Sequence, residues 1–409
     1  MGTVVNERSR RIGVRAAKLF DGWSPVLLDA PLVVMDGGRI VAVQSGGLPP
    51  QDVEVVEFPG ATLMPGLVDA HVHLAFDAGE DPVAALAARD TPAVLDAMRA
   101  AAATALAGGV TTVRDLGDRD YLALQLRDEA SPKAGEHDLR GGTGLPTVLA
   151  SGPPITSRGG HCHFLGGGID DSPAAMCAAV QERIDRGVDV IKIMGSGGNL
   201  TPGSPPERSQ FSAATLGAGI DLAHRHGVGV AVHAHGTAAI RDAVTVGADS
   251  IEHASFWSRD GVDDPGDLVE QIVARQVVVS ATAGVRPGEP GTPYPEANAR
   301  IPGIVAALMS LYRAGARFIA ASDAGIHAGK PHDVARHIPA TLAAIGLPLP
   351  EGLRLVTSAA ADACGLTGRK GRLAPGHDGD LLVIDGDPTA DPAALHRILA
   401  VHARGHRIR

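Results

Sequence analysis

Leu63-Met64-Pro65-Gly66-Leu67-Val68-Asp69-Ala70-His71-Val72-His73 is an apolar run that closes on two histidines separated by a single residue. The composition of its second part, 66–73, predicts a strand buried on both faces. The two-residue period of a strand then sets His71 and His73 on one face, where they can converge on one ion. Asp69 shares that parity and is placed to orient a ligand histidine. The run turns into histidines instead of a Gly-rich phosphate loop, which argues against a doubly wound nucleotide-binding sheet.

Working outward, similar runs occur at 110–116, 146–150, 188–194, 228–235, 250–253, 277–280 and 317–323. With 66–73 they make eight. Ala-rich helical stretches at 84–108, 173–187, 213–226, 237–247, 268–276 and 302–315 separate several of them. This alternation is the βαβ pattern of a parallel sheet, and eight units in about 260 residues predict an α/β chain folded as a (β/α)8 TIM barrel. The Gly/Pro-rich stretch 284–302 is expected to be a long loop over the barrel mouth. The two chain ends differ: short runs at 12–14, 32–35, 40–43 and 53–56, broken by turn pairs such as Asp21-Gly22 and Pro49-Pro50, match the texture of 381–384 and 399–402. Together they predict one small β-domain built from both ends.

A chain of 409 residues, 44% hydrophobic, can bury a sizeable core, and 52 glycines with 29 prolines fit many short elements joined by tight turns. Acidic residues outnumber basic ones 46 to 36, and the net charge of −10 repels phosphate backbones and anionic lipid. The expected partner is therefore a small molecule, with neither nucleic acid nor membrane; homo-oligomerisation rests on base rate alone. No stretch of about 18 apolar residues occurs, and the first 14 residues carry Glu7 and arginines where a signal peptide has an apolar run. Cys162, Cys177 and Cys364 are odd in number and widely spaced, which fits free thiols and a cytoplasmic location.

The chemistry lies at the ends of the runs. His233 and His235 end the fifth, His253 the sixth and Asp323 the eighth, where a barrel exposes functional residues. Singly, each is also what a hydrogen-bonded core histidine or a capping aspartate looks like; agreement at four strand ends points to a divalent metal, with zinc favoured by imidazole and carboxylate donors. Lys192 lies inside the apolar run 188–194 on the parity of Val188 and Val190. An ammonium facing bound dications would be repelled, so the side chain is expected elsewhere, neutral, or carboxylated by carbon dioxide, in which form it bridges two ions. The plainer alternative is a lysine paired with Asp189.

These residues resemble the motifs of the amidohydrolase superfamily. Residues 63–73 are similar to its first metal motif. Thr111-Thr112-Val113-Arg114-Asp115, Ile191-Lys192-Ile193-Met194, Val232-His233-Ala234-His235-Gly236, Ile251-Glu252-His253 and Ala321-Ser322-Asp323-Ala324-Gly325 resemble, in order, its imidazolonepropionase-like branch. Gly371-Arg372-Leu373-Ala374-Pro375-Gly376 and Asp380-Leu381-Leu382-Val383 are similar to the return strands of its β-sandwich. The resemblance implies a β-sandwich over 1–62 and 368–409 and a barrel over 63–367. It implies that His71, His73 and Asp323 hold the more buried of two divalent ions and His233 and His253 the other, with Lys192 bridging both as an N6-carboxylated side chain. His235 is then left to face substrate. Lys192 sets the chain apart from imidazolonepropionase and nearer to Xaa-Pro dipeptidase-like and ochratoxin-hydrolysing members, although His235 stands where those dipeptidases often have tyrosine.

The expected activity is hydrolysis of an amide C–N bond in a dipeptide-like, N-acyl or cyclic amide by a metal-bridging hydroxide, with Asp323 moving the proton to the leaving nitrogen. Within the loop Ser157-Arg158-Gly159-Gly160-His161-Cys162-His163, Arg158 is expected to pair with a substrate carboxylate and His161 to stabilise the oxyanion. Asn199, Tyr294 and His327 are further candidates. His332, His337, His396, His402 and His406 are assigned to the surface or the sandwich. Competing readings are a mononuclear deaminase, which would release ammonia, a lactone or ester hydrolase, and a noncatalytic metal-stabilised binding protein with a closed coordination shell.

Overall fold

Strands form where the sequence runs apolar, and their ladders sort into an end sheet and a central set. The structure, a computed structural model, describes residues 11–131 and 144–409, so the reading of the N-terminal segment lies, for residues 1–10, outside the described residues. The end sheet begins with β1 (Arg11–Leu19), β2 (Leu28–Asp29), β3 (Pro31–Asp36), β4 (Arg39–Ser45) and β5 (Val53–Pro65). The central strands are β6 (Leu67–Val72), β7 (Val110–Asp115), β8 (Thr147–Ala150), a short pair β9 (Thr156–Ser157) and β10 (Gly168–Ile169), β11 (Val190–Met194), β12 (Gly229–Gly236), β13 (Ser250–Trp257), β14 (Val278–Thr282) and β15 (Phe318–Ala321). The chain returns to the end sheet through β16 (Leu381–Asp385), β17 (Ile398–Ala403) and β18 (His406–Arg407).

The end sheet has the order β18-β17-β16-β5-β1-β3-β4, with β2 paired to β1, so the two chain ends do share one sheet. Its junction is the antiparallel β5–β16 ladder from Ala61↔Asp385 to Pro65↔Leu381, which runs past residue 62. Val14, Val33, Leu63, Leu381 and Val383 are fully buried in a core of its own.

The eight central strands predicted from the apolar runs are all present, within a few residues of the expected bounds. β6-β7-β8 and β11-β12-β13-β14-β15 are parallel sheets in chain order. Two isolated parallel bridges adjoin their ends, Val72 of β6 with Ala324 just past β15, and Ile155, in the connection after β8, with Ile193 of β11. Backbone hydrogen bonds accompany both: Asp323 N donates to His71 O at 2.8 Å and Ile155 N to Lys192 O at 2.9 Å. The result is a TIM-barrel-type α/β arrangement.

Helices α1 (Pro82–Ala87), α2 (Thr91–Ala107), α3 (Leu122–Ala130), α4 (Pro173–Asp185), α5 (Ala213–Arg225), α6 (Thr237–Thr245), α7 (Leu268–Ala274), α8 (Pro295–Arg313), α9 (Ile338–Ala344), α10 (Leu349–Leu355) and α11 (Ser358–Ala363) fill the connections. Two expectations are corrected. The single helix at 84–108 is split, because Asp81 caps Ala84 N and Asp90 caps Ala93 N, so a second helix starts at the Asp90/Pro92 signal. The loop over 284–302 is helical from Pro295 onward. Pro302, read as a helix start, is interior, its missing N–H outweighed by a first turn in which Asn298 and Thr292 exchange hydrogen bonds at 3.1 and 2.7 Å. Among the described residues no helix is long and apolar enough to cross a membrane.

Candidate metal centre

The ends of the central strands deliver the histidines. His71 is on β6 and His73 follows it; Lys192 is on β11, His233 and His235 on β12, His253 on β13, and Asp323 lies just past β15. Backbone strain aims two of them. His253 has φ +74° and Asp323 φ +60°, a left-handed conformation that costs about 1–3 kcal/mol for a non-glycine residue and is held here by the packed strand ends.

Two groups of donors result. His71 Nε2 and His73 Nε2 lie 3.5 and 3.3 Å from the same Asp323 oxygen, Oδ1. The remaining nitrogen of each ring is committed as a donor, His71 Nδ1–H to Glu252 Oε2 at 2.9 Å and His73 Nδ1–H to Gly117 O at 3.1 Å. Each ring therefore presents Nε2 to the carboxylate, and two imidazole nitrogens and a carboxylate oxygen gathered this closely are a donor set of the kind that holds a divalent ion. In the second group, ligand atoms of His233, His235 and His253 lie within 4.8 Å of one another. His233 Nε2–H donates to Gly197 O at 2.9 Å, which leaves Nδ1 free; His253 shares a hydrogen bond with Thr282 Oγ1 and His235 with Ser255 Oγ. His253 belongs also to a group with His71 and Asp323, so the two sets abut. Lys192 is 1% exposed and its Nζ has no hydrogen-bond partner. Asp189 does not pair with it; that carboxylate accepts from Arg127 and from Ala150 N. These features fit divalent ions.

Ionisation agrees with the donor set. Burial, reinforced by neighbouring positive charge, lowers His71 and His235 to about 4 and holds His233 and His253 well below the ordinary imidazole range, so all four are neutral ligand-type rings at pH 7. Burial acts upward on Asp323, but the imidazoles of His71 and His73 outweigh it and keep the carboxylate ionised. Burial brings Lys192 down to about 8, which makes a neutral amine accessible near physiological pH.

The other expected site residues divide. His161 is buried with its ring 4.7 Å from that of His233 and with Nδ1 unpartnered; it fits because Gly198 lacks a Cβ, which would meet the ring at 2.5 Å. His161, Cys162, Asn199, Tyr294 and His327 line the same cavity of ≈ 310 Å³ as the metal-type residues. Arg158 does not. Its backbone N–H pairs with Ile169 O beside β9 and β10, which turns the side chain outward, 72% exposed and ion-paired with Asp170. His163 is exposed too. Asp69 does not orient a ligand ring: it accepts from Ser322 N at 3.0 Å and Ser322 Oγ at 2.5 Å and fixes the strand end that carries Asp323. His332 is buried, not superficial, its Nε2–H donating to His73 O at 3.3 Å.

Sequence reasoning missed the group that orients His71. Glu252, wholly buried, also accepts from Arg114 Nη2 at 3.1 Å and Ser250 Oγ at 2.7 Å. Burial acts upward on Glu252, but Arg114 and His71 outweigh it and keep it ionised. A Glu and an Arg inside apolar strands were the available signal, since neither is buried unpaired. Lys330 was missed as well; it lines the cavity and donates from Nζ to Ser322 O at 2.6 Å and Thr282 O at 3.2 Å.

The chain is similar to several known proteins. The ochratoxinase of Aspergillus niger is 33% identical over 216 residues, covering 47% of this chain and 43% of that protein, so the match spans less than half of either. A prolidase solved with N-methylphosphonate-L-proline superposes with a TM-score of 0.80 at 27% identity, covering 97% of this chain and 99% of that one. A Xaa-Pro dipeptidase solved with methionine in its active site gives a TM-score of 0.83 at 24% identity over 97% and 99% of the two chains, a likeness of fold. Residues 62–407 match the amidohydrolase family across the central strands and their return into the end sheet, and the chain belongs to that family.

Proposed function

We propose that this protein is a metal-dependent hydrolase that cleaves the amide bond of a small molecule, dipeptide-like, N-acyl or cyclic, on a closed (β/α)8 barrel (63–367) joined to a β-sandwich (1–62 and 368–409). The bridges at Val72↔Ala324 and Ile155↔Ile193 support closure, and the separate core of the end sheet supports the second domain. His71, His73 and Asp323 would hold one divalent ion, zinc being favoured by the donors, and His233 and His253 a second. Lys192 would bridge them after its neutral Nζ bonds to the carbon of CO2, one C=O pair moving to oxygen and the nitrogen's proton leaving to water. The carrying observation is the convergence of the Nε2 atoms of His71 and His73 on one Asp323 oxygen beside a buried lysine without a partner.

Bound divalent ions supply acidification of a water toward a pKa of about 7 and polarisation of the scissile carbonyl. The side chains do the rest. Asp323, ionised and within reach of the chamber, accepts the nucleophile's proton and hands it to the leaving nitrogen. His161, kept neutral because burial lowers it to about 3, donates a hydrogen bond to the developing oxyanion. His235 faces substrate from the pocket wall formed with Trp257. The prolidase and ochratoxinase relatives support amide substrates over ring deamination. Screening metal-loaded protein against Xaa-Pro dipeptides, N-acyl amino acids, cyclic amides and lactones tests this: chelator-sensitive amide hydrolysis is expected, whereas one ion per chain with ammonia released from a ring substrate would replace it with deamination.

A further inference from the structure

The cavity does not end at the histidines. It continues as an apolar arm between β14, β15 and the helices outside them, reaching Phe318 at the start of β15, the end of that strand remote from Asp323. Ile301, Ile304, Val305 and Leu308, at helical spacing, present one face of α8 to it, and Ile345 closes the opposite side. Among the described residues no charged side chain lines this arm beyond Lys330 and His327, and the hydroxyl of Thr341 is satisfied by His337 O.

The burial of that helix face is anomalous. On α2 and α6 the inward apolar residues, Met98 and Ile240 among them, are fully buried against the strands. On α8 the stripe Ile301, Ile304, Val305 and Leu308 is only half-buried, although it faces inward, with Val305 and Leu308 in part against the main core. Interiors normally pack to crystal-like density, so an apolar stripe half-covered between sheet and helix leaves room for a further apolar occupant. The arm is confluent with the chamber of the catalytic groups, is too apolar to hold ordered water, and extends about 10 Å from Ile301 to Leu308 at the helical rise.

We infer that the arm is an acyl-chain subsite: the substrate is an amide whose acyl part is an unbranched, medium-length aliphatic chain lying along α8, with the scissile carbonyl at the histidine chamber. This rests on the hydrolase reading and deepens it. The expected selectivity follows from burial of methylenes, about fourfold in kcat/KM for each one added until the arm is full.

The test compares N-acetyl, N-butanoyl, N-octanoyl and N-hexadecanoyl amides of one amino acid, and in parallel titrates octanoate and acetate calorimetrically into protein with and without metal. Expected are a rise on the order of 1,000-fold or more from acetyl to octanoyl, six methylenes at about fourfold each, a fall at hexadecanoyl, and octanoate binding that persists without metal. Leu308→Trp and, separately, Ile304→Phe fill the arm and should erase the octanoyl advantage while leaving the N-acetyl rate within about twofold; either variant that folds suffices, as judged by its thermal melt. Equal rates for all chain lengths, or an octanoyl preference that survives both substitutions, overturns the subsite and leaves the hydrolase standing. Octanoate binding blocked by Leu308→Trp, with none of the amides cleaved, upholds the subsite and removes the hydrolase reading.

Discussion

Replacing Glu252 with Gln exchanges one buried oxygen for an amide nitrogen, yet it reaches three partners at once. The carboxylate accepts from His71 Nδ1 at 2.9 Å, Arg114 Nη2 at 3.1 Å and Ser250 Oγ at 2.7 Å, and it is entirely buried. Arg114 is 4% exposed, so the substitution leaves a guanidinium without its counter-charge in the interior, though still bonded to Ala70 O at 2.7 Å. Removing one member of a buried ion pair costs about 3–5 kcal/mol. A ligand histidine that loses its orienting carboxylate gives up about 10- to 100-fold in metal affinity. Urea unfolding of metal-free protein should register the first loss, and competition against a chromophoric chelator the second. Adding Arg114→Met removes the orphaned charge, so the double variant should recover most of the stability but none of the affinity. A Glu252→Gln protein within about 1 kcal/mol of the parent, with unchanged affinity, refutes the network as the support of His71.

Asp323→Asn should retain its fold and lower kcat by at least about 100-fold with metal content checked by elemental analysis; near-normal turnover removes the proton-transfer role. His233→Asn should lose one bound ion per chain while His235→Asn keeps both and raises KM, and the reverse pattern would exchange their assignments. His402, on β17, is 3% exposed and pushed by burial, with help from Arg407, from 6.5 to about 4. Its folded pKa is lowered, so the unfolded chain binds the proton first: stability is full above about 6.5 and falls as the pH drops toward 4, by at most about 1.4 kcal/mol per unit. His402→Gln should flatten the pH dependence of the urea midpoint in that window, and an unchanged slope would show that this histidine does not contribute.

The central strands were legible because parallel strands covered on both faces are written as continuous apolar runs, and four of them, the first, fifth, sixth and eighth, end on the histidines or aspartate read as ligands. Lys192 was legible for a related reason: a cation inside such a run has few ways to be stable. Glu252 was not, since strand parity sets it opposite His253, and only the left-handed backbone at His253 lets adjacent residues serve one site. Arg158 was misread because nothing near it in sequence reveals that the β9–β10 pairing turns it toward Asp170. The proposed arm depends on incomplete packing along one face of α8, which no local pattern encodes; Pro302 moreover disguised the first turns of that helix, 295–301, as loop, while 302–315 read as helix.

Two ions gathered by these imidazoles, one lysine and one carboxylate should be countable by elemental analysis of protein loaded in the presence of 13C-bicarbonate, together with a carbon NMR spectrum of the same sample. Expected are two divalent ions per chain and a single carbamate carbon signal that disappears in Lys192→Met. A protein that binds no ion, or two ions with no labelled carbon, does not hold the proposed centre.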